Sequence, residues 1–274
     1  PSFVTTGIGN QPSVAFNGSG MSLVDEDGES YINGQSAFTL VGVVKSNSTN
    51  SNAGIFDGED PDGHDDVLTI RYDSDGSSGG GTDVIKAGIT VGSETNMESP
   101  SGLQTTSPQM LTMQWSSGSE IELYVDGVSD IPSSASGDPS GTIGDATRAV
   151  VGRGPKDGSS SWDGQIAELF LFSNKLNEAR RTIVENYLST KYGIGIDNDK
   201  MTGNDGAFVH GVAGIGKTSD GQQAETRSSG VYFSQNGDFD NGDYLLTAHN
   251  NAPNDLGAIR TGSEITNSGA EAAW

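Results

Sequence analysis

The chain has 274 residues, a net charge of −23 from 37 acidic against 14 basic side chains, and only 32% hydrophobic residues. That negative excess argues against nucleic acid or an anionic membrane as partner, and no apolar run is long enough to cross a bilayer. The lack of cysteine removes disulfides and thiol catalysis, and 40 glycines describe a turn-rich β protein whose core must come from short, regularly spaced strands.

In chain order, Phe3–Val4, Val14–Phe16 and Met21–Val24 read as short strands broken by Gly and Asn. Ala37–Val44 is a longer strand with Phe38 and Leu40 facing one way. Ser46–Asn52 is a polar loop, and Gly54–Phe56 leads into an acidic loop, DGEDPDGHDD, at Asp57–Asp66. Val67–Tyr72, Val84–Val91 and Met110–Trp115 alternate as strands, separated by loops rich in Ser, Gly and Pro. Glu120–Val125 puts Ile121, Leu123 and Val125 on one face before a turn at Asp126–Gly127. A short strand at Ala149–Gly152 precedes the segment that organises the rest, SWDGQIAELFLFSNKLNEARRTIVENYLSTKYG, Ser161–Gly193.

The near-continuous apolar run from Ile166 to Phe172 suits a strand covered on both faces. Asn177 is a good N-cap, Glu178 favours the positive end of the helix dipole, and Gly193 suits a left-handed C-terminal cap. Between them Ala179, Ile183, Val184, Tyr187, Leu188 and Tyr192 form one apolar stripe. The stripe is expected to pack on a sandwich built by residues before 175. After Tyr192 the texture changes, with an acidic connector and strands at Ala207–Val212, Val231–Ser234 and Tyr244–His249. The expected division is a sandwich over residues 1–195 and a small β-rich appendage, or the start of a following domain, over 196–274. Pro1 opens without a signal peptide and Trp274 ends without a closing element, as expected of a piece of something longer.

The pattern WDGxIAELFLFxxxLxxxxRxxVExYLxxKYGI resembles the C-terminal signature of bacterial laminin-G-like (concanavalin A-like) jelly-roll domains. In those, the last strand of the sandwich leads into a helix lying against it. VAFNGSG at Val14–Gly20, SAFTLVGVVK at Ser36–Lys45 and IELYVDG at Ile121–Gly127 are similar to the family's early and middle strands. The resemblance implies an all-β, antiparallel jelly-roll sandwich with one C-terminal amphipathic helix. It further implies a domain that often carries calcium and often binds glycan or protein, and it does not imply a catalyst.

Several segments carry chemistry on paper. GVAGIGKT, Gly211–Thr218, fits the phosphate-loop pattern, but no apolar stripe follows to make the helix that would hold a phosphate, so strand and turn are expected. DxDG occurs at Asp25–Gly28, Asp60–Gly63 and Asp73–Gly76, and the middle one continues to Asp66. Alternate aspartates on a turn can cage a hard cation with oxygens. The calcium candidate is therefore the loop carrying Asp57, Asp60, Asp62 and Asp66, where Glu59 and Asp65 either supply further oxygens or repel; the alternative is that these Asp and Gly residues only form turns. The other two DxDG segments are read as turns. Asp238, Asp240 and Asp243 form a weaker acidic group. Glu120, Glu122 and Asp126 share the carboxylate richness of β-sandwich glucanases without their residue types or spacing. His64, His210 and His249 are scattered, and Trp115 and Trp162 are expected to pack in the core or at its rim instead of serving as sugar platforms. The expected role is non-catalytic binding or adhesion, outside the cell, to an extracellular glycan or surface protein, with calcium ordering loops. Nucleic-acid binding and membrane insertion are not expected. The alternatives are a self-associating structural spacer or assembly subunit, and a polysaccharide-acting enzyme.

Overall fold

The computed structural model describes residues 1–49, 51–60, 66–76, 81–128, 137–154, 160–201, 210–228, 231–234, 239–249 and 265–268. Two compact units divide them, one of residues 1–125 with 129–175, the other of 126–128 with 176–274.

The first unit is a sandwich of two six-stranded antiparallel sheets. Its elements are β1 (Ser2–Val4), β2 (Ser13–Asn17), β3 (Leu23–Asp25), α1 (Glu29–Ile32), β4 (Ala37–Ser46), β5 (Ala53–Glu59), β6 (Asp66–Asp73), β7 (Val84–Thr90), β8 (Glu94–Glu98), β9 (Gln109–Ser116), β10 (Glu122–Val125), β11 (Arg148–Val151) and β12 (Asp163–Phe172). The first sheet runs β1-β2-β12-β4-β9-β10 and the second β3-β11-β5-β6-β7-β8. Alternation along each strand sends one set of side chains inward. Phe38, Leu40, Leu111, Met113, Trp115 and Leu123 come from the first sheet, and Phe56, Leu68, Ile70, Tyr72, Ile85 and Ala87 from the second. Trp115 and Trp162 are both fully buried, and Trp162 meets the Tyr72 ring edge-on at 5.1 Å. The tryptophans therefore pack the core, as the sequence suggests. This is how a chain with so few hydrophobic residues closes a core: the central strands send alternate, mostly large side chains inward.

Two local departures from regular pairing decide which side chains reach the surface of the sheets. A bulge between Ile166 and Glu168 shifts the β12–β4 register, so β12 is half-buried over Ala167–Phe172 instead of covered on both faces. Asp57–Glu59, read from sequence as loop, continue β5 because they pair on both sides, with β11 and with β6. Gly58 permits this, since a Cβ there would lie 3.1 Å from Ile32 of α1.

The second unit contains α2 (Glu178–Tyr192), β13 (His210–Thr218), β14 (Gly221–Gln223), β15 (Glu225–Ser228), β16 (Val231–Ser234), β17 (Tyr244–His249) and β18 (Ile265–Ser268). β14-β13-β17-β18 form one sheet and β15-β16 a ribbon. The α2 caps are as expected: the Arg180 N–H donates to Asn177 Oδ1 at 2.9 Å, and Gly193 takes φ 67°. Its packing is not. Ala179 and Ile183 join Met201, Tyr244, Leu246 and Ala248 in one cluster, and a Cβ on Gly214 of β13 would lie 3.2 Å from Ile183. The helix thus rests on the sheet that comes after it in the chain. Accordingly the seam between compact units falls at 175, not at 195. The helix also buries polar side chains that find partners. Arg181 donates to Glu185 at 3.0 Å, and Asn186 Nδ2 donates to the carbonyls of Thr182 and Asn198 at 2.8 and 3.0 Å. Residues 126–128 join this unit through the Asp197 N–H, which donates to the Asp126 carbonyl at 3.0 Å.

Candidate binding site

The strands of the second sheet that turn Leu68, Ile70, Ala87 and Ile89 inward must turn the intervening residues outward. The register sets Val150, Asp57, Thr69, Gly88 and Asn96 side by side across β11, β5, β6, β7 and β8. Arg148 stands opposite Glu59 in one neighbouring row, and Arg71, Lys86 and Glu98 align in the other. Apart from Val150 and Gly88 the face is built from charged, amide and hydroxyl groups, and its middle is closed to solvent: Asp57, Thr69 and Glu98 are fully buried and Glu59, Asp73 and Lys86 nearly so. Arg71, Lys86, Arg148 and Arg153 meet Asp57, Glu59, Asp73, Glu94 and Glu98 in near balance. The chain as a whole has 37 acids to 14 bases, so this concentration of cations singles the face out.

Glu59 holds the face together. It is 8% exposed, and Arg148 brings Nε and Nη2 to its Oε2 at 2.6 and 2.5 Å while Arg153 Nη2 bonds Oε1. The Thr147 N–H and hydroxyl both donate to its carbonyl, at 2.7 and 3.0 Å. Farther along, Arg71 Nη2 donates to Asp73 Oδ2 at 3.1 Å, and Lys86 Nζ lies 3.8 Å from Glu94. Burial pushes the Asp73 carboxyl up, but its hydrogen bond with Asp75 and the charges of Arg71 and Lys86 outweigh that and hold it below the usual carboxylate range. At Gly88 a Cβ would fall 2.4 Å from Asn96 Oδ1 and 3.1 Å from Thr69, so the missing side chain is what seats the Asn96 amide over the strand. Asn96 Nδ2 in turn bonds Glu94 Oε1. Such groups are fixed hydrogen-bonding partners with few conformations left to lose.

Of the calcium candidates, Asp57 is fully buried on β5 and belongs to the strand instead of the loop. Asp60 is half-buried just beyond β5, and Asp66 opens β6 opposite Glu59 in the register. Asp62, like Asp65 and His64, lies outside the described residues. Among the described residues, no group of three or more His, Asp or Glu is placed to hold a metal ion. The other DxDG segments are turns, as expected: Asp73 Oδ1 accepts from the N–H of Asp75 and Gly76 at 3.1 and 3.2 Å, and Asp25 Oδ1 from that of Asp27 at 3.1 Å. Asp240 and Asp243 share a 2.8 Å bond within a turn, and Asp238 lies outside the described residues. Glu122 accepts from Lys175 Nζ at 2.6 Å and from the Tyr124 hydroxyl at 3.0 Å, while Glu120 is exposed and Asp126 sits at φ 51° in a turn. Gly211–Thr218 is strand β13, and Lys217 Nζ donates to the Phe239 carbonyl at 2.8 Å, so the phosphate-loop match is a β-strand and turn.

A laminin-G-type family model, described as the concanavalin A-like lectin/glucanases superfamily, matches residues 17–180, more than half of the chain. The chain belongs to this superfamily. Among solved structures it is similar in fold to the CBM40 domain of the Ruminococcus gnavus IT-sialidase bound to α2,3-sialyllactose, at 10% identity, a TM-score of 0.47, and coverage of 61% of this chain and 91% of that one. A mutant NanB sialidase from Streptococcus pneumoniae shows 15% identity and a TM-score of 0.49 over 86% of this chain and 33% of that one. A pentraxin from Limulus polyphemus shows 14% identity and a TM-score of 0.40 over 55% and 70%. No curated protein matches the chain.

Sequence reasoning placed Asp57 and Glu59 near a site but missed Arg71, Lys86, Asn96, Glu98, Arg148 and Arg153. The one local signal was the polar alternation of Asp57 with Glu59 and of Arg71 with Asp73.

Proposed function

We propose that the chain is a non-catalytic carbohydrate-binding module that engages glycan through the outward face of its second sheet. The observation that carries this reading is the cross-strand set of ion-paired guanidinium, carboxylate and amide groups centred on Glu59 and Asn96. A sugar presents many hydroxyls, and each one buried needs a partner. Groups already held in place lose little freedom on binding it. From β11 to β8 the face is about 19 Å wide at ordinary strand spacing, and the groups on it that a sugar can reach are those that stay partly exposed, Arg71, Glu94, Asn96, Arg148 and Arg153. The superfamily's lectins and glucanases both handle carbohydrate. Glu122 is engaged by Lys175 in an ion pair, which suits a structural role better than that of a catalytic acid.

Calcium and an extracellular setting belong to the same proposal. In sequence, Asp60 follows the end of β5 and Asp66 opens β6, so the acidic segment 57–66 supplies the aspartates for this proposal. An acidic surface also suits a salty exterior. The test is a screen of immobilised glycans, followed by calorimetric titration of the best ligand into the wild type, Asn96→Ala and Arg148→Ala. Asn96→Ala should bind about tenfold more weakly with its melting temperature kept, and Arg148→Ala about tenfold more weakly with a lowered melting temperature, since it takes two of the three guanidinium contacts away from the buried Glu59. Unchanged binding in both would remove the site from this face, and no binding to any glycan would overturn the module reading.

A further inference from the structure

The sandwich has a second feature that glycan binding does not use. Between the sheets, beside edge strand β3, a cleft of about 380 Å³ is lined by Leu40, Leu169 and Leu171 from the first sheet and by Phe56 and Val151 from the second, with Tyr31, Gln35 and Ser173 completing it. Protein interiors are normally packed to crystal density, with few voids larger than a water. Here Leu169 and Leu171 remain half-buried, and Leu23, opposite Val151 in the register, is 45% exposed.

The geometry points to a binding site for a neutral, largely apolar small molecule with one hydrogen-bonding end, such as an alcohol or amide. The volume lies in the range of small-ligand pockets, and apolar walls with few polar groups are their usual lining. Five apolar side chains face a ligand from both sheets, which suits a hydrocarbon body and leaves most hydroxyls of a sugar without partners. The polar groups are few. Gln35 Nε2 donates to the Tyr31 carbonyl at 3.2 Å, its amide oxygen has no bond among the described residues, and Ser173 is exposed. The charge nearby is negative: the Tyr31 hydroxyl donates to Asp25 at 3.1 Å, Glu29 lies in the same short helix, and among the described residues no Lys or Arg lines the cleft. A carboxylate ligand would therefore be desolvated without a counter-charge.

The test uses N-phenylnaphthylamine, a neutral apolar fluorophore, titrated into the full chain. Fluorescence should rise saturably at one probe per chain. Decanol should displace the probe, and decanoate at neutral pH should do so about tenfold less well. Ser173→Trp, at an exposed position, should weaken binding by about tenfold or more with an unchanged melting temperature, and Leu169→Phe should do the same by filling the cleft. Non-saturable binding, or binding that neither variant alters, would overturn the site. Equal competition by decanoate would overturn the selection for neutral ligands.

Discussion

Replacing Glu59 by Gln keeps the shape of the side chain and removes only its charge, which isolates the electrostatic part of the sheet face. Three guanidinium nitrogens reach this carboxylate, Nε and Nη2 of Arg148 and Nη2 of Arg153. Hydrogen bonds to charged groups contribute about 1.5–3 kcal/mol each, and removing one partner of a buried ion pair costs about 3–5 kcal/mol. The arginine side chains remain 37% and 22% exposed, so water recovers part of that loss, and the Gln carbonyl still accepts one bond. The expected destabilisation of the sandwich is therefore about 2 kcal/mol, or about 1 M in urea midpoint for a slope of about 2 kcal/mol/M. Fluorescence reads it out, because Trp115 and Trp162 are buried in this unit and a Trp274→Phe background silences the third tryptophan. Adding Arg153→Ala to Glu59→Gln should cost less than the sum of the two, since they share one interaction. An unchanged midpoint in Glu59→Gln would show that these pairs behave as loose surface contacts, and the argument for a preorganised face would fail with it.

Leu188 is fully buried on α2, so Leu188→Ala should destabilise the second unit by about 2–5 kcal/mol in chemical denaturation followed by circular dichroism; a neutral change would mean the helix is not anchored there. Calcium bound only by the folded chain should raise the melting temperature relative to chelator, and Asp62→Ala should abolish the shift. If no shift appears at millimolar calcium, the aspartates of 57–66 serve turn formation and solubility alone. Burial, then the hydrogen bond to Asp25 and that carboxylate's charge, push the Tyr31 phenol from 10.0 up to about 12. Its neutral form is thus favoured by folding, so its contribution to stability is complete below about pH 10 and is lost as pH rises through 12. Tyr31→Phe should remove that late ionisation from an ultraviolet titration, and a tyrosinate curve unaltered by the substitution would contradict it.

What the sequence displayed clearly was local. Asn177 and Gly193 mark the ends of α2 because capping is a matter of one turn, and Ile121, Leu123 and Val125 announce their buried face through simple alternation. β8 was missed because Glu94–Glu98, ETNME, carries no β-branched apolar residue; it exists as an edge strand because β7 offers it a ladder and Met97 reaches the core. Asp57–Glu59 look like turn residues and become strand only because two distant partners arrive on either side. The centre of the proposed site was hidden for the same reason. Glu59 meets arginines 89 and 94 positions later, and no local pattern records such a meeting.

The grouping of residues 126–128 with the second unit makes that unit discontinuous along the chain. No single cut yields two complete pieces: a fragment starting at 176 lacks the Asp126 carbonyl that receives the Asp197 N–H, and one ending at 175 carries a turn whose partners are gone. During synthesis the turn emerges well before α2, so the second unit completes itself on a segment that the earlier strands have already delivered. Expression of either half alone should therefore leave an unfinished end, even though each unit has its own core.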